Sequence, residues 1–305
     1  MKKITVFAPA TVANVVCGFD CLGFAIENPC DETTLCLIDQ KTVKIKHLDD
    51  FNLPTEPEKN IAGVALLAML KEIEENIGFE VEIKKNIKPG SGIGSSSASA
   101  VGAVVAANKL LGGRFSRLEL AEFAMKGEQL ASQGRHADNV APCLFGGFTL
   151  VRSVAPLDIV ALDFPEMSVT VIHPQIEIKT SEARKILPPE ISLKSAIQAW
   201  SNVGALVSAL SKGDYDLISR SLEDFIVEPV RKKLIPYFDE LKTESLKTGA
   251  LGGGISGSGP SVFMLSQTLE TAQKVEKVMH EIYSQTEIDF NIYVSEINVQ
   301  GVKFK

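Results

Sequence analysis

No stretch of this sequence stays apolar for the roughly 20 residues that a membrane-spanning helix needs. Histidine is scarce, at four, and the five cysteines show no metal-binding spacing; Cys17 and Cys21 stand too isolated for a zinc site. Reduced thiols in a cytoplasm are the simplest reading of an odd cysteine count. A basic excess is also missing. Lys and Arg number 31 against 38 Asp and Glu, a net charge of −7, which argues against nucleic acid or an anionic membrane as the main partner. The opening Met1-Lys-Lys-Ile-Thr-Val-Phe7 only superficially resembles a secretion signal, because Pro9, Thr11 and Asn14 interrupt it at once; it reads as a first strand. There are no internal repeats and no low-complexity tails.

What is present is a chain of 305 residues, 45% hydrophobic and 23% charged, the balance of an ordinary globular protein large enough for two domains. Its most informative stretch is Pro89-Gly-Ser-Gly-Ile-Gly-Ser-Ser-Ser-Ala-Ser99. A strand-like segment, Glu80 to Ile87, leads in, and an Ala/Val-rich segment, Ala98 to Leu111, continues as a helix. Gly90, Gly92 and Gly94 permit backbone angles closed to other residues, and Ser95 or Ser96 can cap the helix. Free N–H groups, a positive dipole end and a row of hydroxyls make an anion site, best suited to polyphosphate. The alternative is an ordinary Gly/Ser turn; three glycines with four serines at this junction favour phosphate.

The loop is not a Walker A motif, since no Gly-Lys-Ser/Thr comes after it, and its spacing after Gly94 is wrong for a dinucleotide fingerprint. It resembles the phosphate loop of the GHMP kinases, with Pro89, Gly92, Gly94, Ser95 and Ser96 on the matching positions and Ile93 in place of Leu. Two further segments extend the resemblance over nearly the whole chain: Phe7 to Gly23, and Gly252-Gly-Gly-Ile-Ser-Gly-Ser-Gly-Pro-Ser261. The second precedes a strand, so its glycines are expected to form a loop closing over a phosphate, a plain glycine hairpin being the alternative. Pro9-Ala-Thr-x-Ala-Asn14 with Gly18-Phe-Asp-x-Leu-Gly23, and Gly134-Arg-His-Ala-Asp-Asn-Val-Ala-Pro142, look most like the homoserine kinase branch. Mevalonate kinases carry a basic residue where Thr11 stands and an aspartate where Asn139 stands.

Strands are expected at Ile4–Ala8, Glu32–Ile38 and Val43–His47, and a helix from Asn60. A capping box at Ser116-Arg-Leu-Glu119 opens a helix running to about Ser132. Strands come next over 146–152, 154–163 and 167–173, then a helix with Ala196, Trp200, Val203, Val207 and Leu210 on one stripe. The close reads strand Ser261–Leu265, helix Leu269–Tyr283 and strand Phe290–Ile297. The class is α+β; the strand-helix-strand close is compatible with a ferredoxin-like unit. The resemblance implies the GHMP two-domain fold, a ribosomal-S5-like ATP-binding domain over 1–165 and a ferredoxin-like domain over 166–305.

Glu128 shares an inward stripe with Ala121, Ala124 and Met125, where a carboxylate is costly unless paired or coordinated. The resemblance implies that Glu128 and the Ser96 hydroxyl hold Mg²⁺; pairing with a Lys or Arg is the other reading. ATP would lie along Pro89, Gly90, Ser91, Gly92, Ile93, Gly94, Ser95, Ser96, Ser97, Ala98 and Ser99, with Asn60 either touching the nucleotide or capping its helix. Asn14 and Asp20 suit a substrate with a hydroxyl and an ammonium group, or are turn residues. His136, Asp138 and Asn139 form a polar cluster that reads on its own as a helix-ending loop; by resemblance, His136 and Asn139 line the acceptor pocket, and Asp138 is read as structural. Arg184, in Thr180-Ser-Glu-Ala-Arg184, and Arg231, in Glu228-Pro-Val-Arg231, match substrate-binding arginines whose planar forks would hold a carboxylate. The implied activity is ATP-dependent phosphorylation of the L-homoserine γ-hydroxyl, with Asn14, Glu128 and Asn139 at the chemistry and no obvious general base. Another GHMP small-molecule kinase and a non-catalytic sensor are the rivals. No nucleic acid and no membrane are expected as partners, and a homodimer is left open.

Overall fold

A computed structural model describes residues 3–132 and 134–305. Its first sheet has seven strands. β1 (Lys3–Ala13) pairs antiparallel with β2 (Leu22–Ile38), which pairs with β4 (Gly78–Lys84), and β3 (Val43–His47) lies parallel at that edge. The sequence pattern marks only the second half of β2. Pro29 and a polar run from Glu27 to Asp31 hide its first half, whose upper end pairs with β5 (Phe148–Val154) and through it with β6 (Leu157–Leu162).

Three helices cover this sheet. α1 (Ile61–Lys71) begins where Asn60 Oδ1 accepts from the Gly63 N–H at 3.2 Å. α2 (Ser95–Leu110) is buried on nearly every face because it packs on β1 and β2 and against α1 and α3 (Arg117–Ser132). The capping box of α3 is reciprocal: the Ser116 N–H donates to Glu119 Oε2 at 2.7 Å and the Glu119 N–H to Ser116 Oγ at 3.3 Å. A short helix, α4 (Val140–Phe145), stands where the sequence pattern reads as loop; Pro142 is tolerated in its first turn, where backbone donors have no helical partner.

The second sheet runs β10-β7-β9-β8, all antiparallel, from β7 (Ser168–Pro174), β8 (Gly252–Ile255), β9 (Val262–Ser266) and β10 (Phe290–Glu296). Helices α5 (Thr180–Lys185), α6 (Leu193–Lys212), α7 (Tyr215–Ser221), α8 (Glu228–Arg231), α9 (Phe238–Lys247) and α10 (Leu269–Ser284) accompany it. Helical spacing puts Trp200 on the inward stripe of α6, yet it is 57% exposed; Leu206, Ala209 and Leu210 are the residues that face the core. The chain passes between sheets after Leu162, and β11 (Lys303–Phe304) returns to pair with β1. One apolar core runs through both, from Val6 to Ile297, with a satellite around Phe238 and Tyr283. No helix among the described residues is long and apolar enough to cross a membrane.

Candidate active site

Gly90, Gly92 and Gly94 all adopt left-handed angles, with φ of 76°, 81° and 71°. Gly94 is the N-cap of α2, and no side chain caps that helix. The expected cap from Ser95 or Ser96 does not form, because the Ser95 hydroxyl donates to Ile87 O at 2.7 Å instead. The N–H groups of the first turn therefore remain available to an anion, at the positive end of a 16-residue helix.

Beneath this turn lies a buried pair that sequence reading missed. Lys85 Nζ ion-pairs with Asp31 and donates to Ser95 O at 2.6 Å and Ser99 Oγ at 2.8 Å. Asp31 also accepts from the Asn86 and Ile87 N–H groups at 2.8 and 2.9 Å. The network ties β2 and the end of β4 to the start of α2, and all three ammonium hydrogens are used within it.

The second glycine-rich segment departs from expectation. Gly252 to Ile255 form strand β8, and the loop proper is 256–261. Most of it packs behind the first loop. Ser256 Oγ donates to Gly92 O at 2.8 Å and Ser261 Oγ to Ser91 O at 2.6 Å. A Cβ on Gly92 would lie 2.6 Å from Gly259 O. Only the tip, Gly257 and Ser258, reaches the pocket.

One pocket gathers most of the predicted residues: Pro89, Gly90, Gly92, Gly94, Ser95, Ser96, Ser97 and Ser99 on the loop side, with Glu128, Asn14, Asp20, His136, Asn139, Arg184 and Arg231. Ser91, Ile93 and Ala98 lie behind the loop and do not line it; they hold its shape, Ile93 O accepting the Thr11 N–H at 3.1 Å. Asn60 is likewise outside. Its oxygen caps α1 while Nδ2 meets Pro54 O at 2.7 Å and His47 Nε2 at 3.1 Å, so the capping role fits its geometry.

Glu128 is buried, and burial raises its pKa; the Ser96 and Ser97 hydroxyls and the Lys85 charge pull it back only in part. Asp138, read from sequence as structural, also lines the pocket, and burial with the nearby Asp20 carboxylate pushes its pKa up to about 7. The pKa of His136 is lowered, by burial first; Asp20 opposes that shift and Arg184 adds to it.

The loop after β1 is strained. Asn14, Val16 and Asp20 all have positive φ, a conformation that costs non-glycine residues and tends to gather at functional sites. Asn14 holds it: Oδ1 accepts the Asp20 N–H at 2.9 Å and Nδ2 donates to Gly257 O at 2.6 Å. Asp20 then faces α5, where Arg184 Nη2 donates to both carboxylate oxygens at 2.8 and 2.7 Å. His136 Nδ1 lies 3.7 Å from the same carboxylate. Buried Arg231 donates from Nε to Ala183 O at 3.0 Å and from Nη1 to Gly257 O at 3.2 Å, and both guanidinium groups lie over the Phe19 ring. Asn139 Oδ1 accepts from Thr11 Oγ1 at 2.7 Å.

The GHMP kinases N terminal domain matches residues 60–147 and the GHMP kinases C terminal domain residues 206–285. Homoserine kinase of Chloroherpeton thalassium is 44% identical over 315 residues, covering 99% of each chain, and that of Pyrococcus abyssi is 37% identical with full coverage of both. The crystal structure of homoserine kinase from Cytophaga hutchinsonii superposes with a TM-score of 0.96 at 50% identity, covering 100% of this chain and 98% of that one. A mevalonate kinase structure from L. major, at 15% identity and a TM-score of 0.70, shares the fold alone. With matches of this depth across its full length, the chain belongs to the homoserine kinases of the GHMP kinase family.

Proposed function

We infer that this chain transfers the γ-phosphoryl group of ATP to the γ-hydroxyl of L-homoserine, giving ADP and O-phospho-L-homoserine on the way to threonine. The observation that carries the reading is a single pocket that joins an open helix N-terminus to a paired Asp20 and Arg184. The first suits a polyphosphate. The second suits a zwitterionic amino acid, whose ammonium group replaces Arg184 at Asp20 and whose carboxylate takes the guanidinium, with Arg231 beside it. Each receptor charge is neutralised by the other until the substrate supplies both counter-charges. An acceptor bearing only one of them would leave a charge in the pocket without a partner.

Phosphoryl transfer through a loose transition state asks mainly for alignment and charge neutralisation. The amides of Gly94 to Ser97 would cradle the phosphates. Glu128 and Ser96 would hold Mg²⁺, and the donor set fits: a buried carboxylate with hydroxyls beside it offers the hard oxygen ligands that this ion takes. The ion supplies further neutralisation of phosphate charge when bound. Among the described residues no cluster of three or more acidic, His or Cys side chains forms a metal cage, in keeping with an ion held largely by phosphate oxygens and water. Asn139 is an amide and a poor proton acceptor, so the hydroxyl proton passes late, to the transferring phosphate itself. The division into an ATP-binding unit over 1–165 and a ferredoxin-like unit over 166–305 goes with this reading, as does a cytoplasmic location.

The test is ADP release from ATP and Mg²⁺ with L-homoserine, D-homoserine, L-serine and mevalonate compared side by side. Strong preference for L-homoserine is expected. Preference for mevalonate would identify a different GHMP kinase, and ATP binding without ADP release a sensor.

A further inference from the structure

Thr11 is fully buried on β1 and contributes no atom to the pocket wall, yet it meets the site at two points. Its N–H donates to Ile93 O in the phosphate loop, and its hydroxyl donates to Asn139 Oδ1 at 2.7 Å. Gly94 lies against the pair: a Cβ there would fall 2.0 Å from Thr11 Oγ1 and 3.1 Å from Asn139 Oδ1. The Thr11–Asn139 bond therefore abuts the residue whose amide opens the phosphate site.

Asn139 occupies the N-cap of α4, where an asparagine ordinarily turns its oxygen back onto the helix's own N–H groups. It makes no such bond. Its oxygen is drawn to Thr11, and its Nδ2 makes no hydrogen bond to any described residue while the side chain lines the pocket. A forgone cap is a stabilising contact given up, and it leaves Nδ2 without a hydrogen-bond partner among the described residues on a side chain that lines the pocket.

We propose that Thr11 is a positioning residue for phosphoryl transfer: its hydroxyl fixes the Asn139 amide so that Nδ2 donates to the oxygen shared between the acceptor and the transferring phosphate. The proposal rests on the phosphotransfer reading above. It assigns a role to a side chain that no substrate touches, and it makes Thr11 and Asn139 a coupled unit rather than two independent positions.

The experiment is a double-mutant cycle on the full chain with L-homoserine as acceptor, reading kcat and both KM values. Thr11→Val keeps the shape of the side chain and removes its hydroxyl. We expect kcat to fall by about ten- to a hundredfold, with the KM for ATP within about twofold, as for a misaimed donor at the reacting centre. Thr11→Ser should restore most of the loss. In an Asn139→Ala background, Thr11→Val should change kcat by less than about twofold, because the group it orients is gone. The same fall in both backgrounds, or a raised KM for ATP with kcat unchanged, would overturn the proposal; the latter would mean that Thr11 only shapes the loop through Ile93. Asn139→Asp covers the case in which Thr11→Val does not fold. It keeps an oxygen for Thr11 but loses the donor, so kcat should fall at least as far, and a rise sinks the idea. A parent that releases no ADP with any acceptor removes the phosphotransfer reading and this inference with it, whereas an active parent with independent variants removes only the inference.

Discussion

Two glycine-rich segments, 89–99 and 252–261, look alike in composition and do opposite work. The first breaks the chain three times with left-handed glycines and then releases it into a helix whose opening amides face a cavity. The second begins as a strand, paired to β9, and Ser256 and Ser261 commit their hydroxyls to the carbonyls of the first. The element next to the glycines decides the outcome. A helix start leaves donors unsatisfied and so makes a site, while a strand satisfies its donors in the ladder and makes a support. Glycine content alone does not distinguish them.

The contrast can be broken experimentally, most severely at the metal ligand assigned to the first segment's pocket. Glu128→Ala should lower turnover by several hundredfold or more while ATP affinity stays within about tenfold, since the loop amides are untouched. Equal losses in kcat and in nucleotide affinity, measured by steady-state kinetics and calorimetry, would make Glu128 a structural residue.

Next come paired substitutions of one glycine in each segment. Gly94→Ala puts a methyl 2.0 Å from Thr11 Oγ1 at a φ of +71°, and should weaken ATP binding by about a hundredfold as the N-cap shifts. Gly253→Ala puts one 1.9 Å from Phe263 O, within the ladder, and should lower the melting temperature while the folded fraction binds ATP as the parent does. If Gly253→Ala lost ATP affinity as badly as Gly94→Ala, the second segment would be a phosphate site after all.

The tip of the second segment offers a finer division, because Gly257 O accepts from both Asn14 and Arg231. Arg184→Ala and Arg231→Ala should each raise the KM for homoserine about thirtyfold, the cost of a charge-assisted contact, with little change in the KM for ATP. Lysine should rescue poorly, lacking the fork. An unchanged homoserine KM in both variants would mean the carboxylate docks elsewhere.

A separate test concerns pH. The pKa of Asp138 is raised from 3.8 to about 7 in the fold, so between those values the folded state holds a proton that the unfolded state releases. Its contribution to stability is full below about pH 4 and declines as pH rises towards 7. Asp138→Asn removes this decline. The melting temperature of the variant relative to the parent should climb from about pH 4 to about pH 7, and a constant offset would show that Asp138 does not titrate in that window.

Much of the site was legible because its signals are local. The phosphate loop shows itself within a single short stretch, and Glu128 by sitting on an apolar stripe. The Lys85–Asp31 pair was not legible. Lys85 directly follows the charged strand β4, and Asp31 sits in a polar stretch of β2; nothing near either residue says that they meet across 54 positions, buried together. Strand β8 was missed because Gly252-Gly-Gly has no strand propensity of its own and is extended only by its pairing with β9. Trp200 fails for the converse reason: helical spacing was real, but which side of α6 meets the core is set by β6 and α7, elements outside the helix itself.

The return of β11 to the first sheet bears on the order in which the protein is made. β1 leaves the ribosome long before Lys303 and Phe304, the residues that complete its outer edge, with the Lys305 N–H reaching Thr5 O at 3.0 Å. Until then that edge presents unpaired backbone groups, a template for any extended chain nearby. The first sheet is thus begun early and completed late. While the whole of the second sheet is being translated, the nascent chain carries an open seam that only β11 closes.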